Sequence, residues 1–191
     1  MRKAFTLIET IVVVAVIGLT LPVLFAIIFA ITRQQVKIYR LSQIKKEGDY
    51  LISVMENTIR DRAITIYKSD LIDDANIVCK VVEDYPSSPV DHLYFIDEDK
   101  QFFGYKIDVN KVASAAVDLV SGDPYTVDLT SGKTLVSNFS ISCSRSSIYS
   151  PASISLSFDV CYDTGLPNCA TTRPEEIASL HYQTRIKLRN Y

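Results

Sequence analysis

Hydrophobic and polar positions along the chain fall into three regimes with different periods. Residues 5–31 are almost wholly apolar, and from Ile11 to Ile31 no side chain is charged. Residues 33–67 are amphipathic. Leu41, Ile44, Gly48, Leu51, Met55 and Ile59 recur at three- and four-residue steps, while Lys45, Lys46, Glu47, Asp49, Glu56 and Arg60 occupy the opposite face. No proline lies between Thr32 and Tyr67. The two regimes therefore predict one helix from residue 5 to about residue 67, roughly 95 Å long at 1.5 Å per residue. Residues 69–74 (SDLIDD) read as its polar end.

Beyond residue 75 the period becomes two. Residues 77–82 predict a strand, and Tyr85-Pro86-Ser87-Ser88-Pro89 predicts a rigid loop. Residues 92–96 and 101–107 flank Asp97-Glu98-Asp99-Lys100 as the arms of a hairpin. Residues 109–120 are ambiguous, a short helix being one reading, and residues 125–129 form a strand between turn signals. Three alternating runs close the chain: Leu135, Ser137, Phe139, Ile141 and Cys143; Ile154, Leu156, Phe158 and Val160; and Leu180, Tyr182, Ile186 and Leu188. Together they predict one antiparallel sheet whose inner face is covered by the amphipathic stretch 41–64. The expected class is α+β, a long N-terminal helix packed on an antiparallel sheet. The expected divisions are a leader at 1–4, a membrane-spanning helix at 5–32, an amphipathic half at 33–68 and a β-rich head at 69–191.

Composition sharpens this little. The 191 residues suit one modest domain plus an extension, and the formal net charge of −2 gives no overall basicity that points to nucleic acid. The basic residues between Arg33 and Lys46 adjoin the apolar segment and suit contact with lipid headgroups. Four cysteines, Cys79, Cys143, Cys161 and Cys169, allow two disulfides in three pairings. Cys161 and Cys169 bracket a turn-forming YDTGLPN and pair locally, which leaves Cys79 with Cys143. The spacing lacks the close cysteine pairs of zinc motifs.

The N-terminal residues carry a specific pattern. A short basic leader (Arg2, Lys3) and a small residue (Ala4) precede Phe5-Thr6-Leu7-Ile8-Glu9, which runs into the apolar helix. This resembles the N-terminus of the type IV pilin and pseudopilin superfamily. The resemblance implies cleavage between Ala4 and Phe5 by a prepilin peptidase, N-methylation of Phe5, and assembly through the helix. Phe5 and Glu9 would be the assembly residues, Glu9 neutralising the amino terminus of a neighbouring subunit. The family usually has Gly where this chain has Ala4. An intramembrane acid is costly alone, and pairing with a buried ammonium makes both tolerable. Gly18 and Pro22 fall where the family often breaks the helix, and Pro22 removes one helical hydrogen bond. The implied partners are other pilins or pseudopilins, the inner-membrane assembly platform and membrane lipid. The implied location is a single pass in the cytoplasmic membrane with the head outside, followed by a filament at the cell surface. Arg33, Lys37 and Arg40 outnumber Arg2 and Lys3, a count that alone would put the downstream flank in the cytoplasm. The resemblance and the cysteines place it outside.

A short C-terminal run, Arg185-Ile186-Lys187-Leu188-Arg189-Asn190, and Leu135-Val136-Ser137-Asn138-Phe139 resemble minor pilins of the PilW type and the J-type pseudopilin. Chain length and this tail favour a minor subunit over the major pilin, and a tip adhesin or DNA receptor is the alternative. Catalytic constellations are absent from the sequence: only His92 and His181 could serve as imidazole bases, and no nucleophile motif accompanies them. No cofactor is expected. The acidic tip at 97–99 offers hard oxygen ligands for calcium but not the Asp-x-Asp-x-Asp-Gly loop. Asn138-Phe139-Ser140 fits a glycosylation sequon.

Overall fold

The amphipathic stripe folds as read. A computed structural model describes residues 6–70, 73–117, 124–165 and 178–189, and its first element is α1, Leu7–Arg62. Residues 1–39 and 40–191 form two compact units. In the second, Ile44, Gly48, Leu51, Met55 and Ile59 are all buried. The helix packs this row against antiparallel sheet, so the fold is α+β.

The helix ends earlier than the pattern predicts. Ala63 and Ile66 continue the three- and four-residue spacing, yet Thr65–Tyr67 is strand β1. The run Ile64-Thr65-Ile66 is β-branched, which loses side-chain freedom in a helix and suits a pleated surface. Ile64 N–H donates to the Ile96 carbonyl (2.9 Å), so the chain passes from helix to sheet within two residues.

There are two sheets, not one. After a 3-10 turn at Asp74–Asn76 come β2 (Ile77–Val78), β3 (Glu83–Val90), β4 (His92–Ile96), β5 (Phe102–Asp108), β6 (Lys111–Val117), β7 (Pro124–Asp128), β8 (Thr134–Arg145), β9 (Ser153–Tyr162) and β10 (Ser179–Lys187). The six-stranded sheet has order β2-β1-β4-β5-β6-β7, and the four-stranded sheet has order β10-β9-β8-β3. Leu93, Phe95, Phe103, Tyr105 and Val112 from the first share one core with Ile141, Ile154, Leu156, Phe158 and Ile186 from the second.

Three further expectations are corrected. Residues 77–82 hold only a two-residue strand, because the backbone turns at Cys79, where φ is +57°. The Pro86–Pro89 stretch is not a free loop but part of β3, an edge strand whose register on β8 shifts between Tyr85 and Val90. An edge tolerates proline because the missing N–H faces away from the ladder. Residues 111–117 are strand β6, not helix, paired with β5 from Asp108↔Lys111 to Phe103↔Ala116.

Along β8 the inward phase changes once. Thr134 and Val136 are buried, and so are Phe139, Ile141 and Cys143. The register to β9 shifts between Ser137 and Ser140, and Asn138 sits there at φ +51°. One extra residue in a strand moves the following side chains to the other face. Leu135 and Ser137 consequently leave the core row in which strict alternation puts them. In β9, Ile154, Leu156, Phe158 and Val160 are buried as expected.

Candidate functional site

The site with the clearest physical demand is the N-terminal helix. Every described residue from 6 to 39 is exposed within the chain, including Ile11, Val14, Leu19, Phe25, Ile28 and Phe29. A contiguous apolar surface of this extent on a soluble monomer is abnormal and requires lipid or protein cover. The 21 residues from Ile11 to Ile31 amount to about 31 Å of helix, the thickness of a bilayer's hydrocarbon core. The helix is a candidate single membrane span.

Its polar groups are handled locally. Thr10 Oγ1 donates to the Leu7 carbonyl (2.8 Å), Thr20 Oγ1 to Ile17 (3.3 Å) and Thr32 Oγ1 to Ile28 (2.8 Å). Hydroxyls bonded back to the helix cost little in lipid. Glu9 is the single ionisable side chain from Leu7 to Ile31. Its carboxylate oxygen Oε2 lies 3.5 Å from both the Thr6 backbone nitrogen and Thr6 Oγ1. Thr6 precedes the first helical residue, and Glu9 stands three positions later. That is the spacing of a capping box, in which the acid satisfies a backbone N–H that the helix start leaves open. Both contacts are long, so they offset little of the cost of burying the charge.

Ala4 and Phe5, the expected cleavage and methylation residues, lie outside the described residues. The helix runs through Gly18 and Pro22 without interruption, and a Cβ on Gly18 would meet nothing within 4 Å. Cys79 and Cys143 are joined as expected, across 64 residues of sequence. Cys161 is disulfide-bonded as well, while its expected partner, Cys169, lies outside the described residues.

In the head, residues far apart in sequence fasten the helix to the sheets. Tyr182 Oη donates to the Lys45 carbonyl (3.1 Å) and lies 3.2 Å from Asp49 Oδ1. Burial, then the Asp49 charge, pushes the Tyr182 hydroxyl up to about 12. Arg62 Nη2 pairs with Asp97 Oδ2 at 2.6 Å, and its guanidinium sits 5.4 Å from the centre of the Phe103 ring. Asp97 Oδ1 also accepts the Gln101 N–H (2.8 Å). The first carboxylate of the acidic tip is thereby committed to the helix and to its own turn. Among the described residues no group of three or more His, Cys, Asp or Glu side chains could hold a metal.

Both histidines are on the surface beside an aspartate. His92 Nδ1 lies 2.7 Å from Asp91 Oδ1, and His181 Nδ1 lies 2.7 Å from Asp159 Oδ1. Ser137, Asp159 and His181 stand in register across β8, β9 and β10, with the acid in the middle. A serine hydrolase needs the imidazole between serine and acid, so this row has the wrong order. Burial raises the Asp159 carboxyl, but hydrogen bonds from Asn138 (2.6 Å) and His181, with the His181 charge, hold it below the usual carboxylate range. Asn138, the sequon residue, is exposed at the bulge and donates to this carboxylate.

Comparison with protein-family models, with curated proteins and with solved structures finds no match for the chain.

Proposed function

We propose that the chain is a structural filament subunit of the type IV pilin and pseudopilin kind, a minor subunit assembled through its N-terminal helix. One observation carries the reading: the apolar stretch of α1 from Leu7 to Ile31 is exposed throughout within the chain and bears one acid, Glu9, held at its capped start by two long contacts. Packing among copies of the same helix would cover the apolar surface. A neighbouring subunit's amino terminus would give the carboxylate a countercharge stronger than Thr6 provides. A membrane tether alone explains the apolar surface and leaves the acid only its two long contacts to Thr6, which offset little of the cost of burying its charge.

Mass spectrometry of the mature N-terminus tests processing: a chain beginning at methylated Phe5 supports the reading, and an intact Met1 overturns it. Glu9→Ala tests assembly. The variant is expected to insert in the membrane normally and to be depleted several-fold from sheared filaments. Undiminished incorporation would overturn the charge-pair role.

A further inference from the structure

The polar face of the four-stranded sheet is built of hydroxyls. Ser140 pairs across the strands with Ser157, Ser142 with Ser155, and Ser144 with Ser153. The same rows continue onto β10 as Gln183, Arg185 and Lys187. At the Ser144 end the face deepens into a groove of about 620 Å³, whose lining includes Asp84, Ser144, Arg145, Ser153, Arg185 and Lys187. That volume is within the range of small-molecule sites.

The wall of this groove is fixed in advance. Arg145 donates to the carbonyls of Lys80 and Ile148 (2.8 Å each), Ser150 (2.9 Å) and Ser147 (3.2 Å). Its charge is held in place by backbone rather than by a carboxylate. Arg185 Nε donates to Ser153 Oγ (3.2 Å) and its Nη2 to Ser144 Oγ (3.1 Å). Among the described residues these bonds use two of its five N–H groups. Each serine oxygen accepts from the guanidinium and so keeps its own O–H to donate. Ser153 is only 7% exposed, which fixes the fork's position.

The charge of the groove is not inherited from the chain. Among the described lining residues Arg145, Arg185 and Lys187 face one acid, Asp84, in a protein of formal net charge −2. A preoriented guanidinium, an ammonium and two hydroxyl donors suit a tetrahedral oxyanion. Asp84 can accept from hydroxyls on the rest of the ligand. No aromatic side chain is among the described lining residues, so nothing there stacks a nucleobase.

We propose that this groove binds a phosphorylated polyol, with the phosphate on Arg185, Lys187, Ser144 and Ser153 and the polyol hydroxyls toward Asp84. The source is either a free polyol phosphate or a phosphate-linked polyol chain. The site is on the head and does not depend on the filament reading.

Titration calorimetry on the full chain in detergent micelles tests it, with glycerol 3-phosphate, inorganic phosphate and a poly(glycerol phosphate) oligomer as probes. One saturable site is expected, tighter for glycerol 3-phosphate than for inorganic phosphate. Tighter binding of the oligomer identifies the polymer as source, and binding of the monomer alone identifies the free compound. Arg185→Gln should weaken binding about tenfold or more, the loss of a charge-assisted hydrogen bond. Lys187→Gln, at an exposed position, should weaken it severalfold and carries the test should Arg185→Gln unfold. Lys46→Gln, an equal loss of charge on α1, should change nothing. Absence of saturable binding by both organic phosphates, or binding unaltered in Arg185→Gln and Lys187→Gln, overturns the site. Equal affinity for inorganic phosphate overturns the polyol.

Discussion

Tyr182 lies against Gly48, so close that a Cβ on Gly48 would overlap the phenol ring. The ring is stacked on Phe158, with centroids 5.5 Å apart, and its hydroxyl reaches Lys45, on the turn before Gly48, and the adjacent Asp49. The glycine lets α1 approach β10, and the tyrosine fills the space it leaves.

Gly48→Ala should therefore destabilise the head by about 1–3 kcal/mol, overpacking outweighing the gain of about 1 kcal/mol in helix propensity. In a Tyr182→Ala background the same change should become neutral or stabilising. Chemical denaturation of the single and double variants measures the coupling. Additive effects would contradict the contact.

Tyr182 also sets an alkaline limit. Its folded-state value is raised from 10.0 to about 12, so the folded chain retains a proton that the unfolded chain gives up. This contribution is complete below pH 10 and is lost as pH rises through about 12. Tyr67, Tyr94 and Tyr105 are raised too, chiefly by burial. Tyr182→Phe should therefore flatten the fall of stability above pH 10 without abolishing it, and at neutral pH should cost about 1 kcal/mol for the lost hydrogen bonding. Denaturation midpoints across pH 8–12 would reveal both effects.

The two-residue turn between β5 and β6 uses an unfavourable residue. Val109 has φ +43° and Asn110 φ +62°, and Val109 is 86% exposed. A β-branched residue in this region is strained, whereas asparagine tolerates it. Val109→Asn should stabilise the head by about 1 kcal/mol, read as a rise in melting temperature. A fall would mean that the valine has a role beyond the turn.

The Cys79–Cys143 bond closes a long loop between buried positions. Replacing both residues by alanine should cost about 2–4 kcal/mol. A paired melt of the wild type and the double variant, each in oxidising and reducing buffer, separates this bond from the one at Cys161.

Sequence patterning was most informative where one side of an element is wet and the other dry. The Ile44-to-Ile59 stripe, the hairpin about residues 97–100 and the β9 row Ile154, Leu156, Phe158 and Val160 were legible for that reason. The end of α1 was not, because Ala63 and Ile66 fit a helical stripe and a buried strand equally well. Strand β6 was hidden by its alanines and by a turn whose Val109 gives no turn signal. The Asn138 bulge was invisible, since an inserted residue leaves no mark in a pattern of alternation until pairing is known. The Arg185 groove brings together β3, β8, β9 and β10, and serines on a wet face read simply as solubility. At the N-terminus, Thr6-Leu7-Ile8-Glu9 could have been recognised as a capping box from spacing alone.

The covalent link from Cys79, just past β2 in the six-stranded sheet, to Cys143 on β8 in the four-stranded sheet has a mechanical consequence. The Tyr182 contacts to Lys45 and Asp49 already load β10 of the four-stranded sheet. Tension carried along the α1 backbone enters the six-stranded sheet at β1, which starts three residues beyond the helix end. From there the sulfur bridge carries it straight into the second sheet, so the sheets cannot be peeled apart one after the other. A pulled head would yield as a single body, and a reduced one in stages.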